Sequence, residues 1–72
     1  MFYIITKENC KWCDKAKDFL ESRGEEYKTV TLEDNPFLLE LLLNQGFNTV
    51  PQVFYGRQRI GGYEDLVKYL DH

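Results

Sequence analysis

Residues 2 to 32 limit the fold more than any other part of the chain. The segment FYIIT (2–6) is short, β-branched and aromatic, which reads as a buried strand. A helix follows from Asn9 or Cys10 to about Ser22. Cys13, Ala16, Phe19 and Leu20 share its inner face at helical spacing, and Gly24 is placed to end it. The alternating segment EYKTVTL (26–32) is a second strand. A strand–helix–strand unit implies a parallel pair joined by a right-handed crossover, and helices must then cover the sheet. Beyond it, Asn35–Pro36 is a cap followed by a first-turn proline, and Gly46 is a stop. PQVFY (51–55) and RQRI (57–60) flank Gly56 as a hairpin, and GGYEDLVKYL (61–70) reads as a last helix with acids in its first turn. The expected order is β-α-β-α-β-β-α: an α/β fold with a four-stranded mixed sheet flanked by three helices. With no linker, repeat or low-complexity segment, residues 1–72 read as a single domain.

A chain of 72 residues sits near the lower limit for folding on a core alone, so its two cysteines, Cys10 and Cys13, invite a staple reading. A disulfide stabilises mainly by closing a loop, and a four-residue loop gives only about 2 kcal/mol. The composition offers a better source of stability: 43% hydrophobic residues, with five Tyr, five Phe and one Trp. The opening MFYIITKENC has no long apolar run and meets charge at Lys7, which argues against a signal peptide or a membrane span. A cytoplasmic location is therefore expected, where a C-x-x-C pair points to redox or metal chemistry. A structural zinc almost always takes four ligands, and the chain offers Cys10, Cys13 and His72. The net charge of -3 disfavours a nucleic-acid binder. Lys15 and Lys17 read as solvated helix lysines, whereas Lys7 and Lys11 lie close enough to Cys10 to act on it.

Side chains three apart at a helix start lie about 5–6 Å from one another, within disulfide reach. Cys10, at or before the first turn, faces unpaired N–H groups and the positive end of the helix dipole. It is expected to be the exposed, low-pKa nucleophile, with Cys13 the partly buried resolving thiol. A fall from about 8.5 to about 5 raises the thiolate fraction at pH 7 from roughly 3% to nearly all, and costs roughly 30- to 50-fold in nucleophilicity. Attack breaks even and departure gains. That suits a catalyst.

TKENCKWC (6–13), TVPQVF (49–54) and GGYED (61–65), in this order among these strands, resemble the glutaredoxins over nearly the whole chain. Alone, Pro51 reads as an edge proline and Gly61–Gly62 as a turn; together they carry the resemblance. It implies a thioredoxin-like fold with a cis Val50–Pro51 bond facing Cys10. Thr49 and Val50 would pair with the extended peptide glutathione. Gly61 and Gly62 would allow close approach to the last helix, where the backbone of Tyr63 and Glu64 and the Asp65 carboxylate hold the γ-glutamyl end. Lys7 would meet the glycyl carboxylate and favour the Cys10 thiolate. Trp12 stands where the family usually has tyrosine, as a wall beside the sulfur. Three departures stand out: Lys11 replaces a frequent proline, Phe47 occupies a place that is commonly basic, and PFLLELLL is apolar at six of seven positions after its proline.

The resemblance implies a glutathione-dependent thiol–disulfide oxidoreductase acting on protein disulfides and glutathione mixed disulfides. Cys10 attacks, and Cys13 or a second glutathione resolves. Glutathione is the co-substrate and no metal is required. Expected partners are disulfide-bearing or glutathionylated proteins, ribonucleotide reductase among the candidates; nucleic acid and membrane are excluded, and the chain is a monomer or weak dimer. Three rivals differ in kind. One is a redoxin of the same fold reduced by thioredoxin reductase, against which GGYED speaks. Another is a [2Fe–2S] carrier with the cluster held through Cys10 of two chains and two glutathiones, favoured by Lys11. The third is an interaction module built on the leucine-rich helix.

Overall fold

Alternate side chains of the first strand leave it on opposite faces, and this separates the core from the rest of the sheet. Phe2 and Ile4 join Ala16, Leu20, Val53 and Leu66 in one buried cluster, while Tyr3 stays exposed on the other side. The computed structural model describes residues 1–71; His72, weighed above as a metal ligand, lies outside the described residues.

The strands are β1 (Phe2–Thr6), β2 (Tyr27–Thr31), β3 (Gln52–Tyr55) and β4 (Gln58–Gly61), in sheet order β2-β1-β3-β4. β1 pairs with β2 in parallel and with β3 antiparallel, and β4 completes an antiparallel hairpin with β3. The helices are α1 (Lys11–Ser22), α2 (Pro36–Asn44) and α3 (Tyr63–Leu70), so the element order is the one the pattern implies. Central β1 therefore delivers its C-terminal end, and the loop after it, next to the start of β3. That brings Cys10 beside Pro51.

α1 buries Cys13, Ala16 and Leu20, the inner face its spacing predicts. Each fully buried leucine contributes about 1.5–3 kcal/mol. Gly24, at φ 68°, ends the helix: its N–H reaches the Glu21 carbonyl at 3.1 Å and the Glu25 N–H reaches the Leu20 carbonyl at 3.0 Å. β2 is tied to this end of α1 by the Tyr27 hydroxyl, which donates to Glu21 at 2.9 Å. Burial, then the Glu21 carboxylate, push the Tyr27 phenol above its ordinary pKa.

α2 departs from the expectation at its cap. Asn35 gives no side-chain cap; its amide turns back and donates to the Thr31 carbonyl at 3.2 Å. The helix also adds nothing to the core cluster: only Leu42 is buried, while Phe37 (60%), Leu39 (46%), Leu41 (48%) and Leu43 (51%) are exposed. A helix that is apolar nearly all round cannot turn every leucine to one sheet. Among the described residues no helix is long and apolar enough to cross a membrane.

Candidate redox site around Cys10

Asn9 opens the site by taking a positive φ of 55°, a conformation asparagine tolerates better than most residues. The turn sets Cys10 as the extended N-cap residue of α1. Its Sγ accepts the Cys13 N–H at 3.1 Å, and its carbonyl accepts the Asp14 N–H at 3.1 Å. The two cysteines form a disulfide with their Cα atoms 5.2 Å apart, within the reach their spacing allows. The same N–H that meets a neutral sulfur here is aimed at the charge of a thiolate once the bridge is reduced.

Cys10 is less open than expected. It is 8% exposed against 1% for Cys13. The cause is the strand opposite: Cys10 Sγ lies 3.9 Å from the Val50 carbonyl oxygen, so the turn into β3 covers most of the sulfur. The order of the two thiols is kept, since the accessible edge of Cys10 lines a cavity and Cys13 does not.

The Val50–Pro51 bond is cis, and Thr49 and Val50 form a ridge between two cavities. The larger, about 660 Å³, holds Cys10, Lys7, Lys11 and Phe47. The smaller, about 330 Å³, lies between Pro51 and the start of α3, with Gly62, Tyr63, Glu64 and Asp65 on its far wall. Trp12 borders both, half exposed, with its ring 5.7 Å from that of Tyr63 and the Lys15 ammonium 4.6 Å from its centroid. Of the thiol and glutathione-site residues expected from the sequence, all but Cys13 and Gly61 thus line one of two adjoining cavities.

The glycine pair divides its work unequally. Gly61 has φ 129°, and a Cβ there would stand 2.8 Å from both Cβ and Cγ of Asp65, so only glycine fits. That space lets the Asp65 carboxylate accept the Gly62 N–H at 3.2 Å and cap α3. Gly62 needs no such freedom: a Cβ would sit 3.8 Å from the Pro51 carbonyl oxygen, an ordinary contact. The steric need for glycine thus lies at Gly61 and is set by the Asp65 side chain. One Asp65 oxygen is also already engaged, while the first-turn N–H groups of Tyr63 and Glu64 take no intrahelical partner.

Sequence reasoning missed three contributors. Glu33 accepts the Glu8 N–H at 3.1 Å and borders the Cys10 cavity beside Lys7. Leu39, from α2, lines the same cavity. Arg59 reaches the smaller cavity from β4, with its guanidinium 3.9 Å from the centroid of Phe47. Only the pairing of the hairpin reveals it, because in the sequence Arg59 is one of two arginines after a turn. Among the described residues no group of three or more metal-ligating side chains comes together. A cluster would need Cys10 from two chains.

A family model described as Glutaredoxin matches residues 3–60. A hybrid peroxiredoxin of Haemophilus influenzae is 39% identical over 93% of the chain, which spans only 28% of that protein. Glutaredoxin 3 of Escherichia coli is 39% identical, with 88% of the chain and 77% of that protein covered. Two solved structures overlay closely. The buckwheat glutaredoxin–glutathione complex has a TM-score of 0.80 at 29% identity, covering 97% of this chain and 68% of that one. The glutaredoxin-like NrdH-redoxin of Escherichia coli, described by a thioredoxin-like activity profile, has a TM-score of 0.82 at 27% identity, covering 99% and 93%.

Proposed function

The chain belongs to the glutaredoxin family of thiol–disulfide oxidoreductases, and on that premise we propose that it draws its electrons from glutathione. The observation that supports this reading is the pair of cavities on either side of Thr49–Val50, one at the Cys10 sulfur and one at the N-terminus of α3. An extended tripeptide lying along that ridge would set its own sulfur near Cys10. Its two ends would then fall where Lys7 and the free N–H groups of Tyr63 and Glu64 stand.

The chemistry balances as successive exchanges. The Cys10 thiolate attacks a glutathionylated protein at the glutathione sulfur; that S–S bond breaks, and the protein leaves as its thiolate. A second glutathione thiolate then attacks the Cys10 adduct, releasing Cys10 and glutathione disulfide. With a protein disulfide, Cys13 resolves the adduct. The product leaves as a dithiol, and the Cys10–Cys13 bridge that remains is reduced by two glutathiones.

A second reading has one observation in its favour: the close overlay with NrdH-redoxin, whose activity profile is thioredoxin-like. Reduction of a small disulfide, measured with glutathione and glutathione reductase beside thioredoxin reductase, separates them. Turnover with glutathione is the expected result. Turnover with thioredoxin reductase alone would overturn the reading.

A further inference from the structure

We propose that Arg59 selects the γ-glutamyl end of glutathione by binding its α-carboxylate, a role that rests on the glutathione reading above. Two contacts hold the side chain, and one of them is itself anchored. Its Nε donates to the Gln52 side-chain oxygen at 3.0 Å, and the Gln52 amide donates to the Thr49 carbonyl at 2.9 Å. Gln52 is 2% exposed, so this anchor is fixed to the same ridge that borders the cleft. The guanidinium also lies against the Phe47 ring, 3.9 Å from its centroid, a cation–π stack that restrains its plane. Phe47 thus supplies no charge of its own and carries one brought from β4.

The terminal nitrogens of Arg59 remain available. Among the described residues they make no side-chain hydrogen bond and no ion pair with a carboxylate. Arginine presents its donors as a planar fork that matches a carboxylate. The cleft it lines also contains the α3 N-terminus and the carboxylates of Glu64 and Asp65. A cleft lined by both a guanidinium with helix N–H donors and by carboxylates fits a zwitterion. The γ-linkage of glutathione leaves the α-ammonium and α-carboxylate of its first residue together and free, whereas the glycyl end offers a carboxylate alone. The smaller cleft therefore fits the γ-glutamyl head, and the larger one, with Lys7, the glycyl end.

The test is steady-state reduction with three thiols: glutathione, γ-glutamylcysteine, and 4-aminobutanoyl-cysteinylglycine, which lacks only the α-carboxylate. Losing one charge-assisted contact at an exposed arginine corresponds to a rise of about tenfold in KM. Arg59→Met keeps an apolar stem on Phe47 and removes the charge, so it should show that rise with glutathione and with γ-glutamylcysteine. Wild type and variant should converge with the aminobutanoyl thiol. An unchanged KM for glutathione, or a rise that persists with the aminobutanoyl thiol, overturns the assignment. So does a rise confined to Arg59→Ala, which would mark lost packing, or one that vanishes with γ-glutamylcysteine, which would place Arg59 at the glycyl end. A wild-type protein that glutathione does not reduce at all overturns the proposed function itself, a result distinct from each of these.

Discussion

The reactivity proposed for Cys10 rests on position: it caps α1, accepts the Cys13 N–H at 3.1 Å and is covered by the Val50 carbonyl on one side. Cys13 is 1% exposed, so under the proposed function it would meet substrate only through Cys10. The two thiols should therefore separate on mutation. Cys10→Ser is expected to remove turnover, because serine is not ionised at neutral pH and forms no mixed disulfide. Cys13→Ser should retain reduction of a glutathionylated substrate, where a second glutathione resolves the adduct, and lose most reduction of protein disulfides. Steady-state assays with one substrate of each kind read both outcomes. Activity in Cys10→Ser that Cys13→Ser lacks would reverse the roles. At this scale the sequence is informative where one residue meets its own helix, as with Cys10. It is silent where a partner arrives from another strand, as with Arg59 on Phe47 or the Val50 carbonyl over the sulfur.

The three helices differ in how they relate to the sheet. α1 and α3 carry narrow apolar stripes, and Ala16, Leu20 and Leu66 are fully buried. Their inner faces are legible because polar residues outline them. α2 has no such outline, since PFLLELLL is apolar on nearly every side and its spacing does not reveal which leucine the fold uses. The structure selects Leu42, 6% exposed, and leaves Leu41 at 48%. Leu42→Ala should cost about 2–4 kcal/mol of unfolding free energy by loss of transfer energy and creation of a cavity. Leu41→Glu should stay within about 0.5 kcal/mol of the parent. Urea unfolding of both variants checks the contrast, and equal losses would mean that α2 is packed on both faces. The turn at Gly61 carries a similar lesson: a glycine pair announces a bend, but only the Asp65 side chain shows which member the bend requires.

At the scale of the whole molecule the element order and the parallel β1–β2 pair joined by α1 are the most legible features, because such a crossover has one favoured hand, whereas the pairing of the hairpin with β1 is seen only in the structure. What topology alone leaves open is whether the Cys10–Cys13 bridge holds this small fold together or only passes electrons through it. The core cluster answers in physical terms. Phe2, Ile4, Ala16, Leu20, Val53 and Leu66 draw on both strands of the central pairing and on two helices, and none of these contacts depends on the bridge. The bridge closes a loop of only four residues, whose entropy contributes about 2 kcal/mol at most. The N-cap acceptor at Cys10 also persists after reduction, since either a thiol or a thiolate can take the Cys13 N–H. Reduction is therefore expected to lower the unfolding free energy by no more than about 2 kcal/mol, leaving the fold intact in both states. Urea unfolding followed by circular dichroism, with and without a strong non-thiol reductant, measures the difference. A chain that loses its structure on reduction would make the pair a staple, and a staple that must stay closed cannot cycle.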